Sequence, residues 1–153
     1  MAGNIDLIGG TGCNVVGAPL ANQLTINVTG QGLTWVVTAV DETPMAANTA
    51  YIVTINGGQI DMLLPTFGSA TIGDSIYIVG QGTGIGGNNG GPWKVTQAAN
   101  QQIQFSNQNT TVGAAGYAVS QNQYDCIELV YIGNYAGVDT WFGYSSIGNI
   151  NLV

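Results

Sequence analysis

The amino-acid sequence predicts an all-β protein, an antiparallel β-sandwich or jelly-roll-like body of about eight to eleven short strands. Two observations carry this. No stretch holds an apolar period of 3.6 residues for three turns, whereas short alternating runs recur between turn residues. The chain also contains 24 glycines, which punctuate those runs and leave no room for the crossover helices of a parallel α/β fold.

Taken in order, residues 1–22 form a Gly- and Asn-rich arm with weak strand character near Ile5–Ile8 and Asn14–Val16. So few large apolar side chains cannot offset the cost of ordering the backbone, about 1–2 kcal/mol per residue. The arm is therefore expected to serve subunit contacts, with Ile5, Leu7, Val15 and Leu20 as its assembly residues. Residues 23–153 are expected to make one antiparallel β domain. Leu24, Ile26 and Val28 alternate with polar residues, and Gly30-Gln-Gly32 predicts a hairpin with the run from Leu33 to Thr38. Tyr51, Val53 and Ile55 precede Asn56-Gly57-Gly58 and the run Ile60, Met62, Leu64, a second predicted hairpin closed by Pro65. Ser75–Val79 and Trp93–Thr96 flank a long Gly-rich connection, and Ile103 with Phe105 marks the next strand. Tyr124–Ile132 returns through Gly133–Asp139 as Thr140–Tyr144, and Ile147–Val153 closes the chain. The third and fifth of these blocks echo one another. Asp74-x-Ile76-x-Ile78-Val79 followed by Trp93 matches Asp125-x-Ile127-x-Leu129-Val130 followed by Trp141.

Charge narrows the function classes. The 153 residues include eight acidic side chains and a single basic one, Lys94, and only 6% are charged against about 25% in ordinary domains. A formal charge of −7 offers phosphates no basic track, so no nucleic-acid partner is expected. No 18-residue apolar run is present and no membrane insertion is expected. Without histidine the usual neutral-pH acid/base and the commonest transition-metal ligand are missing, and no Ser/His or Cys/His pair can be built. The sequence accordingly predicts no enzyme, no catalytic residue, no cofactor and no metal.

The remaining motifs have structural explanations. Gly80-Gln-Gly82-Thr-Gly84-Ile-Gly86-Gly87 resembles a dinucleotide loop in spacing, yet it runs into Asn88-Asn89-Gly-Gly-Pro92, from which no phosphate-binding helix can start. Asp74 and Asp125 stand at strand starts, where a carboxylate accepts turn hydrogen bonds. Asp125 and Glu128 fall on opposite faces of one strand, unsuited to a glycosidase pair. Cys13 and Cys126 allow one disulfide or two separate thiols. Aromatic rings set among Asn and Gln suit both interface packing and stacking on sugars. Tyr135 is the only aromatic residue in the two long connections, and it is the expected receptor or glycan contact with Asn134, Asn88 and Asn89.

The order Gly91-Pro-Trp-Lys-Val-Thr-Gln97, Gln101-Gln-Ile-Gln-Phe105, Tyr124-Asp-Cys-Ile-Glu-Leu-Val130, Trp141 and Ser145–Val153 resembles β-rich terminal domains of bacteriophage tail fibres and related bacterial surface-filament or collagen-like proteins. The resemblance covers residues 50–153. It implies a virion or extracellular structural module, commonly trimeric, whose exposed loops touch a host-surface glycan or receptor. No shaft, coiled coil or collagen run is present in this sequence. An open filament or capsid-decoration subunit joined through its leading strand is therefore the alternative expectation, and a carbohydrate-binding module a further one.

Overall fold

The computed structural model describes the backbone of residues 13–18, 23–28, 33–85 and 90–153, and the side chains of 33–85 and 90–153. The backbone divides into two compact units, Met1–Gly32 and Leu33–Val153. In the first, β1 (Cys13–Ala18) pairs antiparallel with β2 (Gln23–Val28), in register from Cys13 opposite Val28 to Ala18 opposite Gln23. The alternation over 24–28 is thus a strand, but its partner is the preceding segment and not residues 34–38. The hairpin groups with residues 1–32. Ile5, Leu7 and Leu20 lie outside the described residues, and Val15 and Cys13 lie on β1, described by backbone alone.

The second unit opens with a winding that alternation of apolar residues does not reveal. Strands β3 (Thr34–Thr38), β5 (Thr49–Val53) and β7 (Ser75–Gly80) lie side by side and parallel in one sheet. Strands β4 (Thr43–Pro44), β6 (Ile60–Leu63) and β8 (Trp93–Thr96) do the same in another. The chain alternates between the two sheets, so each strand is the crossover that its neighbours in the other sheet require. That is how parallel pairing arises without helices, and it corrects the antiparallel expectation. The hairpin predicted at 51–64 and the connection between Ser75–Val79 and Trp93–Thr96 are both passages from one sheet to the other. Their turn chemistry is real, but it redirects the chain to the other layer. Successive corners are tied by asparagines: Asn48 Nδ2 donates to Asp74 Oδ1 (2.8 Å) while its Oδ1 accepts from the Ser75 amide (3.2 Å), and Asn56 Oδ1 accepts from the Thr83 amide (3.1 Å).

The remaining strands complete the two sheets. These are β9 (Gln101–Phe105), β10 (Gln108–Asn109), β11 (Tyr117–Ser120), β12 (Cys126–Tyr135), β13 (Val138–Ile147) and β14 (Ile150–Leu152). The larger sheet runs β10-β9-β13-β12-β7-β5-β3 and the smaller β14-β11-β8-β6-β4, both of mixed direction. One buried cluster draws on both: Tyr51, Val53, Ile76, Ile78, Ile103, Ile127, Leu129 and Trp141 from the larger, and Ile60, Met62, Trp93, Val95 and Ala118 from the smaller. The echo between blocks is an echo of strands. Ile76 and Ile78 face Leu129 and Ile127 across the β7–β12 pair. The two tryptophans, however, stand on different sheets.

The β12–β13 hairpin is the predicted fifth block, and it positions the site. Its turn is two residues long, Ala136 (φ 51°) and Gly137 (φ 85°), because Tyr135 pairs with Val138. Positive φ at both central positions is what a tight right-twisted hairpin requires. Gly133–Asp139 is therefore mostly strand and not the long loop expected. The hairpin carries two irregularities, at Glu128/Leu129 and Tyr131/Gly133. At the second, Ile132 is an extra residue between the pairs Tyr131 with Trp141 and Gly133 with Thr140. Gly133 takes φ 115° there.

Candidate functional site

The outer face of β9, β12 and β13 forms a cavity of about 380 Å³ lined by Gln102, Gln104, Asn109, Ile132, Gly133, Tyr135, Val138 and Thr140. Strand periodicity explains the set. On β9, Ile103 enters the core and Phe105 packs against it, so Gln102 and Gln104 take the opposite face. Gln102 pairs with Thr140 across the parallel β9–β13 register, and Asn109 pairs with Gln104 across β9–β10. Those pairings bring amide, hydroxyl and amide into one patch. Tyr135 stands at the rim, 85% exposed, with Ile132 and Val138 as apolar surface beside it.

The polar groups of this patch are uncommitted. Nearby, Gln97 Nε2 donates to the carbonyls of Gln101, Thr111 and Gly113, and Gln101 Nε2 donates to that of Pro65. Among the described residues, no hydrogen bond engages the side chains of Gln102, Gln104, Asn109, Thr140 or Tyr135. No charged residue lines the cavity. Periodicity could have exposed Gln102 and Gln104, since Gln-Gln-Ile-Gln-Phe alternates cleanly. Thr140 and Asn109 join them only through a parallel pairing and a two-residue strand, neither of which has a sequence signature.

Of the predicted contacts, Tyr135 is in this patch and Asn134 is not. Asn134 Nδ2 donates to Asp139 Oδ1 (2.8 Å) and its Oδ1 accepts from the Gly137 amide (3.1 Å), so it holds the turn. Asn88 and Asn89 lie outside the described residues. Cys126 is buried on β12 beside Tyr77. With Cys13 described by backbone alone, the pairing of the two rests where the sequence left it.

Five of the described carboxylates have partners within the structure. Asp139, 1% exposed, accepts from Tyr131 Oη (2.9 Å), Asn134 Nδ2 and the Gly68 amide (2.6 Å). Burial, then the hydrogen bond to Asp139, raises the Tyr131 phenol above its ordinary value. Asp125 accepts from the amides of Gln121 (2.8 Å), Asn122 (2.7 Å) and Asn149 (3.1 Å), and Asp74 from that of Thr71 (2.8 Å), the turn role expected of both. Asp41 accepts from the amides of Asp61 (2.8 Å) and Glu42 (3.0 Å), which lowers its pKa. The single cation, Lys94, pairs with Asp61 at 2.9 Å and lies 5.5 Å from the centre of the Tyr117 ring. It sits on the smaller sheet's interior strand, where Asp61 is its register partner. Among the described residues, no three His, Cys, Asp or Glu side chains converge on a metal site. No protein-family model matches the chain, and no curated protein matches it.

Proposed function

We propose that this chain is a non-enzymatic structural protein of the tail-fibre or receptor-binding type, acting at a virion surface or outside cells as a β-rich homo-oligomer, with its two mixed sheets stacked as a sandwich. The observation that carries the reading is the uncharged patch around Tyr135, where side chains with free hydrogen-bonding capacity are displayed on paired strands. Recognition groups on a rigid scaffold suit binding to a receptor. Three of the described carboxylates, Asp125, Asp139 and Asp74, are engaged by backbone and side-chain donors, in keeping with a structural role for those acids. The decisive experiment measures binding of the purified protein to host cells. Saturable binding weakened by Tyr135→Ala supports the reading, and no binding to any candidate host overturns it.

A self-assembling filament or capsid-decoration subunit is the second reading, favoured by β3. This strand ends the larger sheet, carries no charge, and leaves Trp35 57% and Val37 66% exposed. Such an edge lacks the lysines and prolines that ordinarily discourage pairing, and the fitting occupant is a strand from a second copy of the chain. Closed trimers seen by light scattering favour the fibre reading, whereas open, concentration-dependent assemblies favour the filament.

A further inference from the structure

We infer that the patch formed by Gln102, Gln104, Asn109, Thr140 and Tyr135 is a binding site for a neutral oligosaccharide, an inference that rests on the receptor-binding reading and names its ligand class. Three features select the ligand. The first is donor and acceptor chemistry. Each amide side chain offers a carbonyl acceptor and an NH₂ donor, and Thr140 adds a hydroxyl. Sugar hydroxyls both donate and accept, so this set matches them without a charge on either partner.

The second is geometry. Gln102 and Gln104 stand on one face of β9, about 7 Å apart along the strand, and Thr140 lies one strand away, at about 5 Å. The three therefore address different hydroxyls of the same or adjoining rings. Tyr135 supplies an exposed aromatic face at the rim, and Ile132 and Val138 supply apolar surface for the C–H face of a sugar. A volume of about 380 Å³ is at the small end of ligand sites, about 300–1,000 Å³, which suits a terminal unit or a disaccharide better than a long chain.

The third is electrostatic. The protein carries a formal charge of −7, and its one cation is engaged with Asp61 on the other sheet. A sialate, sulfate or phosphate entering the patch would lose hydration and find no counter-charge. Neutral hexose and N-acetylhexosamine units avoid that cost.

The test is a glycan array carrying neutral hexose and N-acetylhexosamine oligosaccharides beside their sialylated and sulfated counterparts, with host-cell binding measured in parallel. The expected result is signal on neutral glycans, reduced at least tenfold by Gln102→Ala combined with Gln104→Ala and by Tyr135→Ala, and retained by Tyr135→Phe. An unchanged thermal midpoint shows that the variants are folded. Preference for anionic glycans, or neutral signal indifferent to the glutamine pair, overturns the inference. Cell binding that persists without array signal and is lost on protease treatment of the cells identifies a protein receptor; the inference then fails while the receptor-binding reading stands. Absence of both signals removes the two together.

Discussion

Tyr131 and Tyr135 are four residues apart on one strand, yet they face opposite sides of the sheet. In an uninterrupted strand this spacing would put both rings on one face. Ile132 is the extra residue that reverses the alternation: Tyr131 stays in the core, 5.3 Å from Trp141, and Tyr135 emerges beside the glutamines. Deleting Ile132 removes the extra residue and leaves Tyr131 and Tyr135 three positions apart in a regular strand, so Tyr135 keeps its outward face and its pairing with Val138. The deletion variant is expected to fold and to keep ligand or cell binding, weakened only by loss of the Ile132 side chain from the patch. Circular dichroism beside a binding isotherm checks both, and complete loss of binding in a folded variant would contradict the assigned register.

Gly143 lies where a Cβ would overlap the Phe105 ring. Phe105 covers the strand at the one position without a side chain to displace it. Gly143→Ala is expected to destabilise the protein by about 1–3 kcal/mol through overpacking, read as a lower urea midpoint with an unchanged slope.

Asp125 is expected to be structural. Removing its carboxylate strands three amides in a region where Asp125 itself is buried. Asp125→Ala should cost about 2–4 kcal/mol, whereas Lys94→Ala, which removes a half-exposed ion pair, should cost less than about 1 kcal/mol. Thermal melts of the two variants under one buffer test the ordering. A milder effect at Asp125 than at Lys94 would contradict the hydrogen-bond assignment.

Alkaline pH should unfold the protein through its phenols. Tyr131 is raised by burial and then by Asp139, and Tyr77 is pushed up to about 12, first by its hydrogen bond with the Cys126 thiol, then by burial and the neighbouring Glu128. A phenol with a raised folded pKa binds its proton more tightly in the native state. Its contribution is therefore complete below the unfolded value near 10 and is lost as pH rises through the folded value. Tyr131→Phe should flatten the fall in stability above pH 10, measured by denaturant titrations at stepped pH.

The sequence made the strands visible and left their partners hidden. Alternation at Ile76/Ile78, Ile127/Leu129 and Ile103/Phe105 marked faces that are indeed turned to the core. Period-2 patterning, however, says nothing about whether a neighbour runs parallel or antiparallel. Asn56-Gly57-Gly58 read as a hairpin because a corner between layers uses the same residues as a turn within one. Tyr135 could be chosen from composition. The side chains around it could not, since the bulge at Ile132 and the β9–β13 register depend on contacts far apart in the chain.

The place of β12 between β7 and β13 governs how the chain is born. As translation proceeds, β3, β5 and β7 can wind with β4, β6 and β8, but Ile76 and Ile78 await Ile127 and Leu129, and the β7 edge stays open. At about 5–20 residues per second, roughly fifty residues of delay leave that edge exposed on the ribosome for several seconds. The carboxy-terminal hairpin that carries Ile132 and Tyr135 is also the stopper for this edge. An unpaired strand edge is a template for pairing with other chains, so the same segment that shapes the surface patch also covers the β7 edge.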